Sequence, residues 1–438
     1  MKHSLSHSVS RAVGSFLVVG VAAGAFWLGA CSGDSETVIG PAGPPGPAGI
    51  TGAAGPSGAA GTDGDASVAP SGACTYPCHT FSGVVDQWRL SGHSHPQENE
   101  IGGGPCGNCH AIDGIQQRVA NNVLVANGAT VKNADKGHIN YTGTNGAASE
   151  VSYAGASTIG RIHCTTCHQF DQTNDPHVTG SYKPGQAPLR VAGGASDTVY
   201  IEKSPAGSTT PEGQALSYRA ANLCFFCHKS RKDATLYVTA SNTISTRWGP
   251  HEGPQADIYS GKGGYPLLQT GETYGVSQHT TLQNGCVDCH MQPVAENGNT
   301  PDHTMKPKIT LCKTCHTTYT GTDFNINGGR GVVRTGLFEL EKLLSDANLI
   351  TRTGAAPYPA LTTDELADGQ FHLDQARPGT LDAQAAGALY NYFLIARGRD
   401  LGVHNPLYTR QLLWDSIRVI RAKYSSGSPQ FLPSRPPS

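Results

Sequence analysis

One short device, Cys-x-x-Cys-His, recurs along the middle of this 438-residue chain and takes up nearly all of its cysteine. Five copies share one spacing: Cys106, Cys109 and His110; Cys164, Cys167 and His168; Cys224, Cys227 and His228; Cys286, Cys289 and His290; and Cys312, Cys315 and His316. A sixth, at the head of the series, is longer by one residue, Cys74-Thr-Tyr-Pro-Cys78-His79. Two thiols one helical turn apart can each add to a vinyl group on one edge of a porphyrin, and the histidine that follows turns beneath the ring to ligate its iron. The pattern therefore reads as c-type haem attachment, six times over. Zinc ribbons and redox dithiols also use Cys-x-x-Cys. They impose no rule on the next residue, whereas here a histidine follows the second cysteine in every copy.

Twelve of the thirteen cysteines belong to these motifs and Cys31 is the remainder, which leaves no pair for a disulfide. Hydrophobic residues make up 37% and aromatics 7%, thin for a chain that must bury a large core. Six covalently attached haem c groups would supply the missing apolar bulk. The expected fold class is mainly α with much irregular structure: a multihaem cytochrome c head built around stacked haems over 71–320, and a C-terminal helical region over 321–425 that packs on them. A formal net charge of -2 makes no case for nucleic acid as a partner.

Covalent haem attachment takes place outside the bacterial cytoplasmic membrane, so the chain must be exported. Residues 1–31 agree: Lys2 and Arg11 precede an apolar run from Val13 to Ala30, closed by Leu28-Gly29-Ala30-Cys31. This resembles a bacterial lipoprotein signal, with Cys31 the lipidated residue after cleavage. Ser32 follows it, which in such lipoproteins implies the outer membrane, at the cell surface or facing the periplasm. Within 32–70, glycine occupies every third position from Gly40 to Gly64, the period of collagen, where only glycine fits at the axis of three polyproline-II chains. This segment is either a stalk that makes a homotrimer or a flexible spacer.

Beyond His316 cysteine disappears and helical patterning begins. Leu337, Leu340, Leu344 and Ala347 share one face; Thr362 to Glu365 has the form of a capping box; a third helix is predicted from about Leu381 to Arg399. Asn405-Pro406 opens a fourth as N-cap and first turn, with Leu413, Ile417, Ile420 and Tyr424 along its stripe. The Pro/Ser-rich tail over 426–438 is expected to be disordered.

An electron carrier normally fills both axial positions of each iron. The chain has three methionines, Met1, Met291 and Met305, so His/Met ligation cannot be general. The candidates for the opposite side are His93, His138, His177, His251, His279, His303 and His404, with His95, His163 and His372 ranked below them.

Four stretches carry a family resemblance: Ser277-Gln278-His279 ahead of Cys286-Val287-Asp288-Cys289-His290-Met291, Asp302-His303, Cys312 to His316, and Gly402-Val403-His404-Asn405-Pro406 before the final helix. The chain resembles the multihaem cytochrome superfamily that includes cytochrome c nitrite reductase, hydroxylamine oxidoreductase and octahaem tetrathionate reductase. The resemblance implies distal-ligand roles for His279, His303 and His404. The Cys-x-x-Cys-Lys haem motif of the nitrite reductases is absent. The expected function is accordingly a hexahaem carrier that exchanges electrons with other multihaem cytochromes or extracellular acceptors, an electron carrier more than a catalyst. The alternative is an oxidoreductase of a small nitrogen or sulfur compound, with an open axial site at the stretched Cys74–His79 motif.

Overall fold

A computed structural model of the chain describes residues 79, 83–94, 141–142, 148–149, 162, 164–170, 175, 187–190, 198–201, 213–295, 300–351 and 375–438. The leader with Cys31, the glycine-repeat segment, Cys74, Cys78, Cys106, Cys109, His110, His138, His177 and the Thr362–Glu365 capping box lie outside the described residues. The described helices are α1 (Val84–Arg89), α2 (Cys164–Cys167), α3 (Asn222–Phe225), α4 (Ala234–Tyr237), α5 (Gln255–Ser260), α6 (Cys286–His290), α7 (Ile309–Cys315), α8 (Gly329–Asp346), α9 (Ala383–Gly398) and α10 (Pro406–Tyr424). Strands are short and pair two at a time, always antiparallel: β1 (Tyr141–Thr142) with β2 (Ala148–Ser149), β3 (Val199–Tyr200) with β4 (Ala215–Leu216), β5 (Ser241–Ile244) with β10 (Gly379–Asp382), β6 (Pro293–Val294) with β7 (Thr300–Pro301), and β8 (Ile350–Thr351) with β9 (Gln375–Ala376). The fold is thus mainly α with much irregular chain. No described helix is long and apolar enough to cross a membrane.

The protein core sits among α8, α9 and α10. Leu337, Leu340 and Leu344 of α8 and Leu412, Leu413, Ile417 and Ile420 of α10 are fully buried where the two helices meet. Helix α9 is buried around nearly its whole circumference, enclosed by its two neighbours and by the 234–267 segment. At Gly387 that enclosure is tightest: a Cβ there would lie 2.1 Å from Tyr265 Cδ1. Asp382 caps α9 by accepting from the Ala385 amide at 2.9 Å, so the helix begins at Ala383 and Leu381 belongs to β10. Asn405 caps α10, with Pro406 in the first turn. Tyr424 ends the α10 stripe but is 40% exposed, since it lies beyond the region that α8 covers.

The tail corrects the expectation of disorder over 426–438. Phe431 packs on the core against Trp414, and the Gln430 and Phe431 amides donate to Glu339. The Arg435 guanidinium donates to Asp415 at 3.0 Å, and Ser438 Oγ donates to the Thr273 carbonyl at 2.6 Å. Prolines limit regular structure but not docking; two anchoring side chains suffice to hold an irregular strap.

Candidate metal centres

Each described attachment motif forms one helical turn. The amides of His168, His228 and His316 donate to the carbonyl of the first cysteine of their own motifs, at 2.9, 2.9 and 2.8 Å, and the fourth motif of this kind is α6 itself. None of the eight described cysteines is in a disulfide. Burial pushes the Cys167 thiol up to about 12, helped by Cys224 and Cys164, and the Cys289 thiol up to about 11, helped by Cys312. Reactive dithiols and zinc-binding thiolates need the opposite shift.

Each of the four motif histidines faces one distant histidine. Ring centroids are 5.9 Å apart for His228 and His93, 6.2 Å for His168 and His303, 6.2 Å for His316 and His279, and 6.3 Å for His290 and His404. Two imidazoles on opposite sides of one metal atom, each bonded at about 2.0–2.1 Å with its ring centroid roughly 1.1 Å further out, have centroids about 6.3 Å apart. Aromatic pairs without a metal span about 4.5–7 Å, so the separation is compatible with metal ligation without being unique to it. Interplanar angles scatter from 30° to 82°, so the shared quantity is the separation and not a stacking geometry. A pair offers two nitrogens, and among the described residues no group of three or more His, Cys, Asp or Glu is placed to hold a bare ion. Haem, which brings four ring nitrogens of its own, fits this donor set.

In six of these rings Nδ1 has a hydrogen-bond partner. Nδ1 meets the Ala187 carbonyl at 2.7 Å in His168, Pro301 O at 2.8 Å in His303, Met305 O at 2.8 Å in His290, and Val403 O at 2.7 Å in His279. In His228 it lies 3.1 Å from Gln255 Oε1 and in His93 2.8 Å from Met305 Sδ; in His404 it lies 2.8 Å from Asp400 Oδ2 as a close charge contact without hydrogen-bond alignment. An acceptor on Nδ1 fixes the tautomer and leaves the Nε2 lone pair available to ligate a metal. Burial also favours the neutral ring: it pulls His93 down to about 4, with His228 and His290 adding, and lowers His168, His290 and His303.

Two of the distant histidines depend on one turn. Arg399, Leu401 and Gly402 all have positive φ between α9 and α10, and a Cβ on Gly402 would meet Val333 Cγ2 at 2.8 Å. This compact reversal presents His404 to His290 and the Val403 carbonyl to His279. Asn405 links the turn to the same region, accepting from the Ser277 amide at 3.0 Å and donating to Tyr259 O at 3.2 Å, while Tyr259 Oη donates to His279 O at 2.7 Å. The other two, His93 and His303, are joined through α1: Gln87 accepts from the His303 amide at 2.9 Å, and Trp88 stacks on His93 at 6.1 Å.

Successive motifs adjoin in space. Cys224 lies close enough to Cys167 to raise its thiol electrostatically, Cys224 and Cys286 thiols are in hydrogen-bonding contact, and Cys289 senses Cys312 and Cys315. Tyr218, Phe225 and Tyr259 pack edge to face beside Cys224, Cys227 and Cys286 in a second small core.

Of the other candidates, His251 has Nδ1 at 2.7 Å from Glu252 O and is not in these four pairs, and His79 is the single described residue of its motif. Sequence reasoning did not single out Asp400, Met305 or Gln255 as partners of the rings. For Asp400 a signal existed, its placement four residues before His404; for a carbonyl or a methionine sulfur there is none.

No protein-family model matches the sequence, and no curated protein matches it. Among solved structures, an outer cell wall cytochrome, OcwA, is similar at a TM-score of 0.38 and 17% identity, over 79% of this chain and 51% of that one. The chain thus spans about half the length of that protein.

Proposed function

We propose that this chain is a hexahaem c-type cytochrome that carries electrons at the bacterial outer membrane or cell surface, anchored by lipid on Cys31. The observation that carries the reading is the set of four histidine pairs, each joining an attachment-motif histidine to a distant one at the separation of trans metal ligands. Haem supplies one-electron redox chemistry when bound. The chain's part is to attach the ring edges through paired cysteines, hold the axial imidazoles by their Nδ1 acceptors, and set neighbouring sites side by side. With a histidine pair on each of these four sites, a bound haem would have a protein donor for each side of its iron, which favours transfer over substrate chemistry. Other multihaem cytochromes or extracellular acceptors are the partners we assign, with 40–64 as a spacer or trimerising stalk. Membership of the nitrite reductase and hydroxylamine oxidoreductase superfamily is part of the proposal, on the four stretches named above.

Intact mass of the purified protein should exceed the polypeptide by six haems, and electron paramagnetic resonance should show low-spin ferric iron throughout. A high-spin, ligand-binding iron with turnover of nitrite or hydroxylamine would replace the carrier with the enzyme reading; five haems would remove the stretched Cys74–His79 motif from the set.

A further inference from the structure

The seven groups placed against Nδ1 are not equivalent, and the difference falls on one centre. Six are neutral: four backbone carbonyls, the Gln255 amide and the Met305 thioether. The seventh is the carboxylate of Asp400, 2.8 Å from His404 Nδ1. We infer that Asp400 makes the iron held between His290 and His404 the lowest-potential centre of the four described pairs. This rests on the haem-ligation reading above and deepens it.

A carboxylate held against the imidazole places a negative charge beside the centre, which would favour the ferric over the ferrous state of a haem bound there and so lower its potential. Asp400 is 9% exposed, so little water screens it. Its position is fixed by the turn: Oδ1 accepts from the Gly402 amide at 3.1 Å and Oδ2 from the His404 amide at 3.0 Å. Asp288, inside the same attachment motif, adds a second carboxylate, oriented by the amide and side chain of Asn284 at 2.9 Å each. The opposite extreme is the neighbouring pair, His228 with His93, whose acceptors are an amide oxygen and a thioether, sulfur being a weak acceptor. Met305 stands between the two, offering its sulfur to His93 and its carbonyl to His290. Adjacent sites in contact through Cys224 and Cys286 are thereby set at different potentials.

The test is a spectroelectrochemical titration of the haem-loaded full chain, with paramagnetic resonance to identify the affected iron. In Asp400→Asn the lowest wave should move upward while the others stay in place, and one low-spin signal should change; Asp400→Glu should return the wave toward its native position. Met305→Gln, which offers an amide oxygen to His93, should lower a different and higher wave, and it carries the test if the Asp400 variants do not fold. An unmoved lowest wave in a fully loaded, low-spin Asp400→Asn protein, or unmoved potentials in Met305→Gln, would overturn the inference and leave the ligation reading standing. Absence of low-spin haem in the unaltered protein would overturn the ligation reading itself.

Discussion

Replacing His279 by alanine should open one iron and only one. The ring of His279 faces His316 at 6.2 Å and is held by its Nδ1–H bond to Val403 O. The attachment residues Cys312, Cys315 and His316 lie on α7 and its last turn and are untouched by the change, so the haem count should stay at six. One-sixth of the ferric haem should pass from low to high spin, and the reduced protein should bind carbon monoxide in the same proportion. Loss of the Nδ1–H bond leaves the Val403 carbonyl without that donor, a cost of about 1–3 kcal/mol. The Tyr259 bond at 2.7 Å goes to the backbone oxygen of His279 and survives, so the turn persists and the protein remains folded. Free imidazole should enter the vacated space and restore the low-spin spectrum. The reasoning is refuted by a variant whose spectrum matches the parent, or by one in which two irons change together.

Removing residues 426–438 should lower the melting temperature measurably, because Phe431 leaves the core and Asp415, fully buried, keeps only Arg418 of its two arginines. Loss of one partner of a buried charge costs up to about 3–5 kcal/mol, at the low end here because Arg418 stays; calorimetry showing no change would mean the strap bears no weight. Leu340→Ala, at a fully buried position between α8 and its neighbours, should cost about 2–5 kcal/mol in denaturant unfolding. Burial raises the Asp257 carboxyl to about 7, against hydrogen bonds from Ser230 and the charge of Lys229. The folded state therefore holds this proton more tightly than the unfolded chain, whose aspartates titrate near about 3.9. Stability from this group is full below about pH 4 and is lost as pH rises to about 7. Asp257→Asn should flatten that part of the pH–melting profile, and an unchanged slope would assign it to other groups.

The helical region was readable where the signals are local. Asn405-Pro406 starts α10, and the Leu337, Leu340, Leu344 face is buried, because capping and amphipathic spacing are set within a turn or two of chain. The tail was misread for the converse reason: its composition is that of a linker, and its order comes from Glu339, Asp415 and Thr273, all distant in sequence.

The same division runs through the candidate centres. The candidate attachment residues are legible because one helical turn puts Cys, Cys and His on one side wherever the five-residue pattern occurs, whatever the rest of the chain does. The facing histidines are not legible as pairs. Composition narrows them to a short group, but His93 meets His228, His303 meets His168 and His404 meets His290 across more than a hundred residues each. Only the docking of α1 and the turn between α9 and α10 decides which imidazole faces which, and only that turn puts a carboxylate behind His404. Sequence by itself determined what this chain can attach; tertiary structure decided how the attachment sites are paired and ordered, because pairing is a matter of long-range backbone placement and attachment is a matter of local spacing.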